Sequence, residues 1–310
     1  MKKLFTIVAV AILGAASAFA QDMAALTETY NEGANALSAG NKADALVSFK
    51  SALEMAEALG DEGAEIASKC KSYIPEIQFL VAKEFVNNQD YDNAVAELGK
   101  TVEIAKAYGA EETAENAKDL IPQVLMQKAN ALLGAKDFAG AAAGYKDVLA
   151  ADPANGVAAL RLGAALNSAG DKDGAVEAFK MAIENGQEKQ AVKQISNLYL
   201  KNAAAALKAK DFAGAVSEAL KVNEYGENAK AYQIAGQASQ LQKKNNAAIE
   251  YFEKYLELSP SAANAGQIAF TVAALHQQAG NKAKAIEFYQ KASSDAKLGA
   301  EAQKQIAALK

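Results

Sequence analysis

The chain has 310 residues, 51% of them hydrophobic, with no tryptophan, one cysteine, one histidine and a formal net charge of −5. Dispersed lysines in an acidic chain exclude the clustered basic footprint of a nucleic-acid binder, and no block of like charge suggests a membrane-surface patch. The lone Cys70 excludes an intramolecular disulfide, and the lone His276 excludes a Cys/His zinc cluster.

The chain opens with Lys2 and Lys3, an apolar run from Leu4 to about Ala16, and then Ala18-Phe19-Ala20. Basic, apolar and small-residue segments in that order predict a secretory signal peptide over residues 1–20, cleaved after Ala20. The apolar run is shorter than the ~20 residues a spanning helix needs, so no integral membrane segment is expected after cleavage. Residues 1–20 hold two lysines and no acid, which leaves 30 basic against 37 acidic residues, a net charge of −7, in the mature chain. The expected location is the periplasm or the extracellular space.

The chain then repeats itself. GNKADA stands at 40–45, AKDFAGA at 135–141 and again at 209–215, GDKDGA at 170–175 and GNKAKA at 280–285. The closing alanines of these strings, with two weaker matches, are Ala45, Ala94, Ala141, Ala175, Ala215, Ala248 and Ala285. Their separations are 49, 47, 34, 40, 33 and 37 residues. Spacing inside a unit is helical: in the fourth, Leu160, Leu162, Gly163 and Leu166 precede a break, and Ala175, Phe179, Ala182 and Ile183 follow it at three- and four-residue steps. No stretch alternates with period two, so no strand is expected.

Four residues before the anchoring alanine stands Asn41, Asp90, Asp137, Asp171, Asp211 or Asn281, an N-cap for the second helix of the unit. The sixth unit has Lys244 there, which predicts a cap shifted to Asn245. Pro153 and Pro260 follow second helices, whereas Pro75 and Pro122 are expected at or before the first turn of the next helix. The two long spacings contain parallel segments, predicting extra helix at about 62–73 and 111–120, interrupted near each proline. Residues 299–310 read as a closing amphipathic helix that caps the last unit.

These residues resemble the tetratricopeptide repeat, a helix pair of about 34 residues with Leu-Gly, Gly, Ala, Phe, Ala and Pro at fixed offsets. Unit four matches best, through Leu162, Gly163, Gly170, Ala175, Phe179 and Ala182. Unit one supplies Gly33, Gly40, Ala45, Phe49 and Ala52, unit six Gly236, Ala248, Phe252 and Pro260, and unit seven Gly280, Ala285, Tyr289 and Ala292. Units two and five depart from the pattern, with Ala82 and Ala203 at the glycine and Leu98 and Ala219 at the phenylalanine. The resemblance implies an all-α, right-handed α-solenoid of about seven such pairs over residues 21–298, plus the capping helix.

By that resemblance the groove faces of the first helices lie fifteen and eleven residues before each anchor. The candidate groove is Tyr30, Phe79, Lys83, Met126, Asn130, Leu160, Leu200, Gln233, Gln237 and Phe270, with Arg161, Asn197 and Lys201 beside them. An apolar stripe with a central polar and basic cluster suits an extended or helical peptide. The set that clasps acidic chaperone C-termini in this family matches only at Asn130, which argues against that role. No phosphate loop is present, and His276 falls at an offset that packs between helices, so no catalytic site, metal or cofactor is expected. The expected function is a non-catalytic scaffold or adapter in the cell envelope, with a protein or peptide partner and no nucleic acid. A self-associating structural component is the alternative, and an enzyme built around His276 the third reading.

Overall fold

Strong helix formers at three- and four-residue apolar spacing fold into helices along the described chain. The computed structural model describes residues 18–310, with side chains from Gln21 onward, and shows no strand among them. The helices are α1 (Ala18–Ser38), α2 (Lys42–Ala58), α3 (Ala64–Asn87), α4 (Tyr91–Ala107), α5 (Glu111–Gly134), α6 (Phe138–Ala151) and α7 (Gly156–Ala169). They continue as α8 (Lys172–Ala182), α9 (Glu188–Lys208), α10 (Phe212–Val222), α11 (Ala229–Leu241), α12 (Asn245–Leu258), α13 (Ala265–Gln278), α14 (Lys282–Ala292) and α15 (Gly299–Leu309). The basic start and apolar run of the expected leader lie outside the described residues, and the expected cleavage position after Ala20 falls within α1.

The chain divides into two compact units, one ending at Asp171 and the other Lys172–Lys310. This boundary falls inside the fourth repeat, where the sequence reading expects one continuous array. In the first unit each helix from α1 to α7 packs on the next, and α3 also touches α5. In the second the same holds from α8 to α15, with α9 touching α11. A π-turn at Ile183–Gln187, with Gly186 at φ 82°, redirects the chain between α8 and α9.

The turn inside each repeat is one device used seven times. The residue before the second helix's cap has φ between 60° and 93°: Gly40, Gln89, Lys136, Gly170, Lys210, Lys243 and Gly280. The cap residue's amide then donates back to the carbonyl five residues earlier, at 2.9–3.0 Å, as in Asn41 to Ala36 and Lys244 to Ser239. This left-handed closure satisfies the last carbonyls of the first helix. Asn41, Asp90, Asp137 and Asp211 accept from the amide three residues on, as N-caps do.

Two capping expectations need correction. Asn245 is the first residue of α12 and Lys244 keeps the cap position without a side-chain bond, because the backbone closure, not the polar side chain, sets where the helix begins. Asn281 holds its cap position but makes no side-chain cap bond.

The prolines need another. α3 and α5 run unbroken through Pro75 and Pro122. A proline inside a helix removes one hydrogen bond and costs ~3 kcal/mol. Here Ile74 and Val124 are fully buried and Ile77 is 2% exposed, so continuing the helix keeps apolar surface covered on both sides. Each buried aliphatic side chain contributes ~1.5–3 kcal/mol, which outweighs the proline.

Within each unit the core forms where its paired helices cross. All seven anchoring alanines have zero exposure. Opposite them, a methyl added to Gly236 would lie 2.5 Å from the ring of Phe252, and one added to Gly33 would lie 3.2 Å from that of Phe49. The third repeat reverses the arrangement: Ala129 occupies the glycine position, and Gly144 on the partner helix leaves only 2.9 Å for an added methyl. Repeats two and five join Ala82 with Leu98 and Ala203 with Ala219 in their clusters. Cys70 is a fully buried member of the first core, its thiol pushed up to about 12 by desolvation. At the other end α15 buries Ala302 and lays Ile306 and Leu309 against the cluster of Phe252, Val272, Phe288 and Tyr289.

Gly236→Ala should destabilise the protein by about 1–3 kcal/mol, since the buried Phe252 ring has nowhere to move; urea unfolding reads the change, and adding Phe252→Leu should recover part of it. Lys136→Gly relieves a left-handed L-residue at the cost of a more flexible unfolded chain, and should stabilise by about 0.5–1 kcal/mol in the same assay.

Candidate functional site

Residues fifteen and eleven before an anchor are one helical turn apart, so they share a side of the first helix. In the first unit this side carries Phe79 and Lys83 on α3, Met126 and Asn130 on α5, and Leu160 with its neighbour Arg161 on α7. Phe79, Met126 and Leu160 are half-buried, and Lys83 and Arg161 are exposed. Phe79 packs on the Ala82–Leu98–Val124 cluster, and the Lys83 ammonium lies 4.3 Å over its ring. Tyr30 does not join them. It is 4% exposed and edge-on to Phe49 at 5.3 Å, with its hydroxyl bonded to Tyr73 and its pKa raised by burial. The reason is local: α1 and α2 form the first core from large side chains, and Tyr30 fills it.

Asn130 and Arg161 are brought together. The Asn130 Oδ1 accepts from the Tyr145 hydroxyl at 2.7 Å and from Arg161 Nη1. Tyr145 is fully buried, so desolvation raises its pKa against the opposing pull of Arg161. A buried phenol needs a partner. The amide that satisfies it also orients the chain's single guanidinium, linking α5, α6 and α7. The sequence contains the signal, since Tyr145 stands four residues after its anchor where Phe is usual, and a hydroxyl there must be answered from the facing helix.

In the second unit Asn197 and Lys201 lie one turn apart on α9 and are exposed, while Leu200 packs on the Ala203–Ala219–Ile234 cluster. Gln233, half-buried, accepts from Lys230 Nζ at 3.2 Å, and Gln237 is likewise half-buried. Phe270 meets Tyr289 edge-on at 5.1 Å, and the Tyr289 hydroxyl donates to Gln277 at 2.7 Å.

Two polar features escaped the sequence reading. Gln78, 1% exposed, accepts from Lys50 Nζ at 3.1 Å and donates to Glu97, with the Lys50 pKa lowered by desolvation. A cavity of about 960 Å³ in the second unit is lined by Glu253, Lys284, Glu287, Phe288, Lys291 and Asp295 among others. Glu287 is held below the usual carboxylate range by Lys284 and Lys291. The cavity is lined from α12, α13 and α14 and from the turns that follow α12 and α14, so no single local motif marks it.

His276 is 7% exposed, stacked on Phe288 at 5.7 Å, with Nε2 3.1 Å from Glu253 Oε1. The ring joins α12, α13 and α14 as a packing element. Among the described residues no group of three or more His, Cys, Asp or Glu side chains is placed to hold a metal. No helix among them is long and apolar enough to cross a membrane.

The tetratricopeptide-repeat family model matches residues 229–261, the α11–α12 pair. No curated protein matches the chain. Solved structures similar to it include YrrB, described as a TPR protein with an unusual peptide-binding site, at 21% identity over 63% of this chain and 97% of that one, with a TM-score of 0.32. PilF of Pseudomonas aeruginosa is 17% identical over 62% and 90%, with a TM-score of 0.31. The P58(IPK) TPR domain is 14% identical over 92% and 98%, with a TM-score of 0.30. Residues 229–261 are thus a tetratricopeptide repeat, and the glycine–phenylalanine crossing of that pair, Gly236 with Phe252, recurs between α1 and α2 as Gly33 with Phe49.

Proposed function

We propose that the protein is an exported, non-catalytic scaffold of the cell envelope that holds a protein segment against its first helices. The observation that carries this reading is the half-buried apolar row Phe79, Met126 and Leu160, edged by exposed Lys83 and by Arg161, whose guanidinium is oriented by Asn130. Apolar side chains of a bound segment would cover the row, and its carbonyls would meet the cations. Leu200 and Phe270, with Asn197, Lys201, Gln233 and Gln237, offer the same mixture in the second unit. Export is supported by the order of Lys2-Lys3, the apolar run and Ala18-Phe19-Ala20.

Arg161→Glu combined with Lys201→Glu should lower partner capture from envelope extracts at least about tenfold, roughly 1.4 kcal/mol, with unfolding midpoints unchanged. Equal capture by the double variant would refute the assignment of both surfaces, the one in the first unit and the one in the second. The intact mass of the protein that cells accumulate should correspond to a chain beginning at Gln21; a chain retaining residues 1–20 would refute the exported form.

A further inference from the structure

The first and last helices of the described chain each have one principal neighbour. α1 packs on α2, and α15 packs on α14. Each therefore keeps an outward flank, and the two flanks differ in charge. On α1, Gln21, Ala25, Glu28, Glu32 and Asn35 are all exposed and fall at four- and three-residue steps, one stripe of the helix. Asp22 is exposed beside it, and α1 contains no lysine or arginine. Among the described residues none of these three acids is in an ion pair. On α15, Ala300, Gln303, Lys304 and Ala307 are exposed at the same steps, with Lys297 just before the helix and Lys310 at its end. Lys304 reaches Glu301 only at 3.9 Å.

We propose that the α1 flank of one copy docks on the α15 flank of a second copy, so that the protein associates head to tail. Glu28 and Glu32 face Lys304, and Asp22 adds to the field that attracts Lys297 and Lys310. Ala25 on one side and Ala300 and Ala307 on the other keep the helices free of bulky side chains at the contact, which lets their axes approach closely. A second copy is the occupant because each flank supplies what the other lacks. An acidic stripe repels itself, so a two-fold contact between two α1 helices is disfavoured. Contact between unlike surfaces is heterologous, so each copy that docks presents a further flank of its own, and the assembly grows beyond a dimer as a ring or a chain. Exposed charge pairs are weak and screened, so the association belongs to high protein concentration and low salt.

Sedimentation of the protein in the form cells accumulate tests this. At low salt the weight-average mass should rise with concentration, and it should return to the monomer at about 0.5 M salt, where the screening length is a few ångströms. Glu28→Lys with Glu32→Lys should sediment as a monomer throughout, and so should Lys304→Glu. Mixing the two variants should restore association, because the unaltered α15 flank of the first meets the unaltered α1 flank of the second, and the two reversed flanks are complementary as well. Circular dichroism and urea midpoints establish that both variants are folded. A monomer at every concentration and salt, association that strengthens with salt, or association indifferent to both reversals would each overturn the proposal.

Discussion

The structure depends on one contact, the close crossing of the two helices in a repeat at an alanine with no exposed surface. Interiors are packed at the density of organic crystals, so the space at such a crossing is fixed and must be shared between the facing residues. Where the second helix brings Phe49 or Phe252, the first offers Gly33 or Gly236. Where the first helix brings Ala129, the second thins to Gly144. Residues at the crossing therefore vary in pairs, and the chain builds an extensive core without tryptophan by repeating a small, tightly met contact.

The polar chemistry is placed by the same crossing. A phenol at the aromatic position, as in Tyr145 or Tyr289, fills the space of phenylalanine and carries a hydroxyl to the facing helix. Asn130 and Gln277 answer it. In the first unit the answering amide also receives Arg161, so a demand created in the core ends by orienting a cation on the surface. The candidate surface of the first unit is thus tied to the core through the Tyr145–Asn130–Arg161 hydrogen bonds, and an unmet phenol there would be costly.

Much of the fold was legible because each repeat is read from short stretches: the anchoring alanine, the cap four residues earlier and the helical spacing on either side. The candidate surface was legible in part, since offset alone places Phe79, Met126 and Leu160 on one side of their helices. Offset alone also places Tyr30 there, and it fails because the first core, packed from α1, α2 and α3 around Phe49, takes the ring in. Pro75 and Pro122 read locally as interruptions because the preference against helix before a proline is local, whereas the burial of Ile74, Ile77 and Val124 that overrides it is set by tertiary packing. The Gln78 ladder and the cavity around Glu287 join residues from different helices and loops, and one-dimensional spacing carries no trace of them.

Nearly every helix packs on the helices that precede and follow it in the chain. Loop-closure entropy is therefore met in small steps, each spanning one turn and two helices. Chains rich in such near-in-sequence contacts fold fast, because no distant segments must find each other first. Any pair can serve as a starting point, and order can spread from it in either direction. The turns closed by left-handed residues bear on that spreading, since each sets the direction in which the next helix leaves.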